Sequence, residues 1–492
     1  MMFSQLLVLP LLLAGSPSLA TASGESDASA LASALTAVRE DSYRADLHFL
    51  ASDALRGRNT PSPELRIAAL YLKNRVQRLG FQPGAKDGWF QDYPLHSYHL
   101  DVESSYVRAS TQDGDIQFTF AEDYYFLKPT HAQDMNASGS MICVGKGSKR
   151  SLTGLDLEGK WALLLDTGKV SRSGAKRCFE AGAIGVVVTP GPSYSESRGS
   201  YVDRFQDRSD NLLSPSTPSF KPRGDSKVEG PIVMLKPEAA LRLYALAGTP
   251  LVEGAPEPGT ELSLQLTEQR SIANEDVMVS NVCAFWPGSD PELAGQTMII
   301  SAHYDHIGER NGEIYNGADD NASGTCGLLA LADALVAYGP LKRSVLLLWV
   351  SGEEKGLWGS EIWSKSPWLP NDSQAVLDLN IDMIGRTEDD ELYITPSREH
   401  DAFNSVAQVA YDLAEREGFG ELQKQDEYWS RSDHMNFYRF LDIPVAFLSS
   451  GNHPDYHKPT DTPDKIKTEK STRIVRLVFR MLHALQETDL GL

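Results

Sequence analysis

The sequence is short of cysteine and of positive charge. Four cysteines in 492 residues exclude a disulfide scaffold. Cys143, Cys178, Cys283 and Cys326 show no CxxC or CxxH spacing, which excludes a zinc finger or a thioredoxin-type redox pair. A Cys143–Cys178 bridge stays open, and Cys326, in an apolar helical run, reads as a buried thiol. The 46 Lys and Arg set against 67 Asp and Glu leave a net charge of −21. Such a chain lacks the basic face needed for non-specific nucleic-acid binding and the polybasic cluster needed to hold anionic lipid. The acidic balance itself reads as a solubility feature. Long apolar runs are also missing. The apolar stretch Phe3–Leu13 is too short to span a bilayer, and no other segment reaches that length. Small residues follow it, and Ala20-Thr21-Ala22 fits an export cleavage site, although no Lys or Arg precedes the run. The expectation is an exported protein, periplasmic or secreted, with a signal peptide over 1–22 and no stable membrane insertion.

What is present is globular: hydrophobic residues make up 41% and charged residues 23%. The length allows two or three domains. Residues 23–35, rich in Ser and Ala, read as a loose N-terminus. Leu65, Ala68, Ala69, Leu72, Val76 and Leu79 recur at helical spacing until Gly80. Alternation between 90 and 128 predicts strands. Residues 131–260 hold short apolar strands among Gly-, Ser- and Pro-rich loops, which predicts an inserted smaller domain, β-rich but with some helix. Residues 23–130 and 261–492 then make up the main domain. From about 275 the pattern is strand–helix alternation. Met298–Ala302, Val345–Val350, Ala375–Ile381 and Val445–Leu448 are continuous apolar strands. Buried strands between helices predict an α/β fold with a mostly parallel central sheet flanked by helices.

Ligands of such sheets bind beyond the carboxyl ends of the strands, and every predicted strand end carries carboxylates or imidazoles. His303-Tyr304-Asp305-His306 follows the first, Glu353-Glu354 the second and Asp382 the third; His453, Asp455, Tyr456 and His457 come after the fourth. Asp319-Asp320-Asn321 lies between the first strand and its helix. Imidazole and carboxylate without thiolate suit zinc, with manganese or cobalt as alternatives. At least five candidates exceed the needs of one catalytic zinc and suit a carboxylate-bridged pair, beside which a free carboxylate can move a proton. Taken singly, most of these residues have plainer roles. His306 and His453 read as loop or supporting residues, Asp433 and His434 as structural or pocket-lining, and Asp320 as a helix cap, with Asn321 or Ser323 as rivals for that cap.

The segments SAHYDHIG (301–308), NGADDNASG (316–324), SGEEKGLWGS (351–360), NIDMIG (380–385), SDH (432–434) and YHKPTDTPDKI (456–466) together resemble the co-catalytic di-zinc exopeptidases. That family includes bacterial leucyl-type aminopeptidases, glutamate carboxypeptidases, the transferrin receptor and glutaminyl cyclases. A weaker likeness covers 43–95. The resemblance implies a metal-dependent aminopeptidase acting on peptides, with two Zn2+ per chain. It implies that His303 and Asp382 hold one zinc, Glu354 and His457 the other, and that Asp319 bridges them. It assigns Glu353 as general base, Asp305 as the residue orienting His303, and Tyr456 as a donor to the oxyanion. It also implies that the insert is a protease-associated domain. A carboxypeptidase or dipeptidase of the same family would need a cation for the substrate carboxylate, for which Arg386, Arg431 and Arg439 are candidates. A receptor-like binding protein should have lost some ligand positions, and none is substituted.

Overall fold

The computed structural model describes residues 19–127, 134–166, 172–190, 219–222, 230–249 and 256–490. The chain divides into two compact units, one of residues 1–93 and 278–492 and the other of residues 94–277.

The first unit is an α/β layer structure. Its strands are β1 (Gln82–Pro83), β2 (Glu261–Trp286, of which the end belongs here), β3 (Gln296–His303), β4 (Ser344–Val350), β5 (Gln374–Ile381), β6 (Tyr393–Thr395), β7 (Gln423–Lys424) and β8 (Val445–Ser449). They are ordered β7-β6-β8-β5-β3-β4-β2-β1. The central four, β8-β5-β3-β4, are parallel. Their side chains are buried on both faces; all seven residues of β4 are buried. This explains the unbroken apolar runs, because a central parallel strand has no solvent side. The helices are α1 (Leu19–Ala37), α2 (Glu40–Leu50), α3 (Pro63–Arg78), α4 (Gly324–Tyr338), α5 (Trp358–Lys365), α6 (Ser405–Leu413), α7 (His434–Leu441) and α8 (Thr468–Leu485). Helix α3 starts as its sequence dictates: the Ser62 hydroxyl accepts from the Leu65 N–H, and Pro63 opens the first turn. Helix α8 buries one face, including Ile474, Val475, Leu477, Val478 and Leu482, in the main core.

One expectation is corrected in this unit. Residues 23–35 are not loose but lie within α1. Leu31, Ala34, Leu35 and Val38 form a helical stripe, with Ala34 and Val38 buried in the core and the two leucines packed against it. Alanine's high helix propensity, rather than the serine content, decides the outcome. Across both units the four cysteines are buried free thiols, so the Cys143–Cys178 bridge that the sequence leaves open is not formed.

The second unit has its own core. Met135–Gly145, Trp161–Asp166, Gly185–Pro190 and Ile232–Leu235 are parallel neighbours, with helices Arg172–Glu180 and Pro237–Leu246. Its limits are wider than the 131–260 expected. Phe90–Ser110 pairs with Asp115–Phe118, and Tyr98, Leu100, Val107 and Phe118 pack in the same cluster as Met141 and Trp161. At the other end, residues 261–270 pair with 135–142. The chain therefore leaves and re-enters the first unit in mid-strand, where composition does not change. No helix among the described residues is long and apolar enough to cross a membrane.

Candidate metal centre

The parallel register brings the strand ends together. His303, the last residue of β3, lies opposite Val350 of β4, and Ser301 lies opposite Asn380 of β5. Residues just past these strands therefore share one edge of the sheet. Beyond β4, Gly352 turns the chain at φ +73, a left-handed conformation suited to glycine. A short 3-10 turn, Glu353–Lys355, then presents both glutamates. Gly317 (φ +58) precedes the Asp319-Asp320 turn; a β-carbon there would lie 2.2 Å from the Asp320 carbonyl and 2.3 Å from the His306 ring.

Two groups of ligand-type atoms form at this edge. In the first, His303 Nε2 is 3.3 Å from Asp320 Oδ1 and 3.3 Å from Asp382 Oδ1. In the second, His457 Nε2 is 3.1 Å from Asp320 Oδ2 and 3.2 Å from Glu354 Oε2. His306 Nδ1 is 2.6 Å from the other Glu354 oxygen and 3.9 Å from Asp320 Oδ2. Asp320 thus gives one oxygen to each group. Ligands of a single tetrahedral zinc, each about 2.0–2.2 Å from the ion, stand about 3.3–3.6 Å from one another. The donor set therefore fits zinc in both spacing and chemistry. Glu353 stays apart, its Oε2 4.0 Å from His303 Nε2.

This corrects the expected bridge. Asp319 points elsewhere: its Oδ1 accepts the Gly385 N–H at 2.7 Å, and its Oδ2 lies 3.2 Å from His453 Nε2. Asp320 does not cap α4. The N-cap residue is Ser323, without a side-chain cap bond, while Asn321 Oδ1 accepts from the Gly324 N–H at 2.8 Å and also from the Met383 N–H. The structure brings His303, Glu353, Glu354, Asp382 and His457 together as the sequence reading grouped them, with Asp320 in the place of Asp319.

The surrounding residues fix this arrangement. Asp305 accepts from the Thr60 hydroxyl at 2.9 Å and the Glu353 N–H at 3.2 Å. Its carbonyl lies 3.1 Å from His303 Nδ1, nearer than its carboxylate at 3.7 Å. Ser432 donates to Asp382 Oδ2 at 2.8 Å. Asp461 accepts the N–H groups of Asp319 and Asp320 at 3.0–3.2 Å, so one buried carboxylate clamps the turn that carries Asp320. The sequence reading gives His306 only a loop or supporting role and gives Asp461 none. Each lies inside a motif, three residues past His303 and four past His457, but position alone gives no role. Tyr456 lines the pocket in front of Asp320, Glu353 and Asp382, and its ring stacks on His457 at 3.9 Å.

Charge separates the carboxylates. Burial opposes ionisation of Asp320, yet hydrogen bonds from His303 and His457 hold it well below the usual carboxylate range. Burial and repulsion from Asp320 oppose ionisation of Glu354, but His306 and His457 hold it at about 2. For Glu353, burial prevails: together with Glu354, Asp433 and Asp382 it pushes the carboxyl well above its ordinary value against the pull of His303. Anionic ligands beside a carboxyl that favours its proton are a division suited to metal binding and proton transfer.

The strand-edge cluster of imidazoles and carboxylates lies in the part of the chain that matches a known family model. Residues 281–482 match the model of peptidase family M28, in keeping with the resemblance carried by the motifs. A probable leucine aminopeptidase of Arthroderma otae is 26% identical over 220 residues, covering 43% of this chain and 58% of that protein. A probable zinc metalloprotease of Pyrenophora tritici-repentis is 37% identical over 121 residues, 23% of each chain. The chain spans about 60% of the length of the first curated relatives it matches. Among solved structures, an aminopeptidase from Aneurinibacillus sp. strain AM-1 shares the fold with a TM-score of 0.56 at 19% identity, covering 92% of this chain and 95% of that one. A zinc aminopeptidase from Bacillus subtilis does so with a TM-score of 0.51 at 19% identity, covering 92% and 97%.

Proposed function

We propose that this chain is an exported zinc-dependent aminopeptidase that binds two metal ions and hydrolyses the N-terminal bond of peptides. The observation that carries the reading is the Asp320 carboxylate, which divides its two oxygens between His303 with Asp382 and His457 with Glu354. In this reading His303, Asp320 and Asp382 hold one zinc, and Asp320, Glu354 and His457 the other. His306, against the second Glu354 oxygen, orients that ligand. Bound zinc supplies an acidified water and a polarised carbonyl. Glu353, free of the metal groups, takes the proton of the attacking water and returns it to the departing amine. Asp305 accepts the Glu353 N–H and Thr60 the Gly352 N–H, which together hold the turn that carries Glu353. The Tyr456 hydroxyl donates to the developing oxyanion. The complete donor set favours an enzyme over a receptor-like binding protein.

Export rests on the apolar run 3–13 and the small residues after it; residues 1–18 lie outside the described residues. The unit of residues 94–277 we read as a protease-associated domain.

The test is hydrolysis of free and N-acetylated amino-acid p-nitroanilides by the zinc-loaded protein, with and without a chelator. Cleavage of free amines only, abolished by chelation, is expected. Glu353→Gln should lower kcat roughly 10²–10⁴-fold while the zinc content, read by atomic spectroscopy, stays at the wild-type level. A fully active Glu353→Gln enzyme would remove Glu353 from the mechanism. A zinc-loaded wild type inert on all peptides would end the reading.

A further inference from the structure

Arg431 stands apart among the three arginines that could meet a substrate carboxylate. Arg386 is already paired, 2.6 Å from Asp455 and 3.6 Å from Asp461. Arg439 lies over the Phe440 ring and is not on the pocket wall. Arg431 does line the pocket in front of Asp320, Glu353 and Asp382, and it is the one cationic side chain on that wall among the described residues. It is exposed, and no carboxylate among the described residues forms an ion pair with it. Its position is nonetheless set: its N–H donates to the Tyr428 carbonyl at 2.9 Å, and its guanidinium lies 4.9 Å from the Tyr428 ring centroid. The next residue, Ser432, is bonded to the ligand Asp382. The guanidinium is therefore tethered one residue from the metal centre, stacked on an aromatic face, with its fork of donors open.

We propose that Arg431 is a specificity-determining residue that receives a substrate carboxylate lying close to the scissile bond. The inference rests on the peptidase reading and narrows its substrate class. On a wall with no other cationic side chain among the described residues, a stacked guanidinium binds a carboxylate through two parallel hydrogen bonds. The carboxylate has two sources of the same chemistry: the C-terminus of a dipeptide, or the side chain of an N-terminal Asp or Glu.

Four substrates separate these cases: leucyl-leucine, leucyl-leucine amide, glutamyl p-nitroanilide and leucyl p-nitroanilide. Each is measured with zinc-loaded wild type, Arg431→Gln and Arg431→Lys. In Arg431→Gln, kcat/KM for a carboxylate substrate should fall roughly tenfold or more relative to its neutral counterpart. The loss should be carried mainly by KM and partly restored in Arg431→Lys. A loss confined to leucyl-leucine identifies the C-terminus, and one confined to glutamyl p-nitroanilide identifies the side chain. Equal changes across all four substrates, or no change, overturn the proposal; zinc-dependent cleavage of leucyl p-nitroanilide then leaves the peptidase reading standing. Failure of the wild type to cleave any of the four in a zinc-dependent way overturns both.

Discussion

Two adjacent aspartates carry opposite duties in this protein. Asp320 faces both ligand groups, while Asp319 holds the Gly385 N–H and His453. The consequence is measurable with one atom changed at each site. Asp320→Asn should lose bound zinc and activity together. Asp319→Asn should keep its zinc and lose about 1–3 kcal/mol of stability from a weakened buried contact, read as a lower denaturation midpoint. The reverse pattern would restore Asp319 as the bridge. The residue types of the centre were legible in the sequence because each follows a buried strand. The choice between neighbours was not, since it depends on how the turn twists each side chain. In Asp320 the backbone departs from helical geometry (φ −102, ψ 95), and no periodicity announces that.

At the scale of elements, the loops of the centre depend on a segment far away in sequence. Arg58, buried between α2 and α3, donates to the carbonyls of Tyr304 at 2.9 Å, Asn316 at 2.9 Å and Gly317 at 3.0 Å, and also to Leu50. One guanidinium thereby ties the loop that follows β3 to the N-terminal helices. Burial lowers its pKa to about 10, still high enough to keep it charged at neutral pH. Arg58→Ala leaves these carbonyls buried without a donor and should cost about 3–5 kcal/mol, visible as a drop in Tm. Arg58→Lys cannot reproduce the fork and should recover only part of the loss. A change under about 1 kcal/mol would show that water takes over the guanidinium's contacts. The main strands and α3, α4 and α8 were legible from apolar runs and helical spacing. Helix α1 was hidden by its serines, because only Leu31, Ala34, Leu35 and Val38 reveal its buried side. The edges of the second unit were hidden because they fall inside Phe90–Ser110 and Glu261–Trp286, where a strand continues from one core to the other.

At the scale of the molecule there are two compact units, and the candidate metal centre lies in that of residues 1–93 and 278–492. Unfolding by calorimetry should resolve two transitions. Zinc at a hundredfold excess over its Kd should stabilise one of them by about 2.7 kcal/mol and leave the other in place. A single transition that moves as a whole with zinc would show that the units unfold together. The ligand residues also have an order in time. His303 is made first and His457 last, with 153 residues between them, and β8, which leads to His457, takes its place in the sheet between β5 and β6. A growing chain therefore carries an incomplete centre until residue 457 has emerged and β8 is laid down. The donor set is whole only once the sheet itself is.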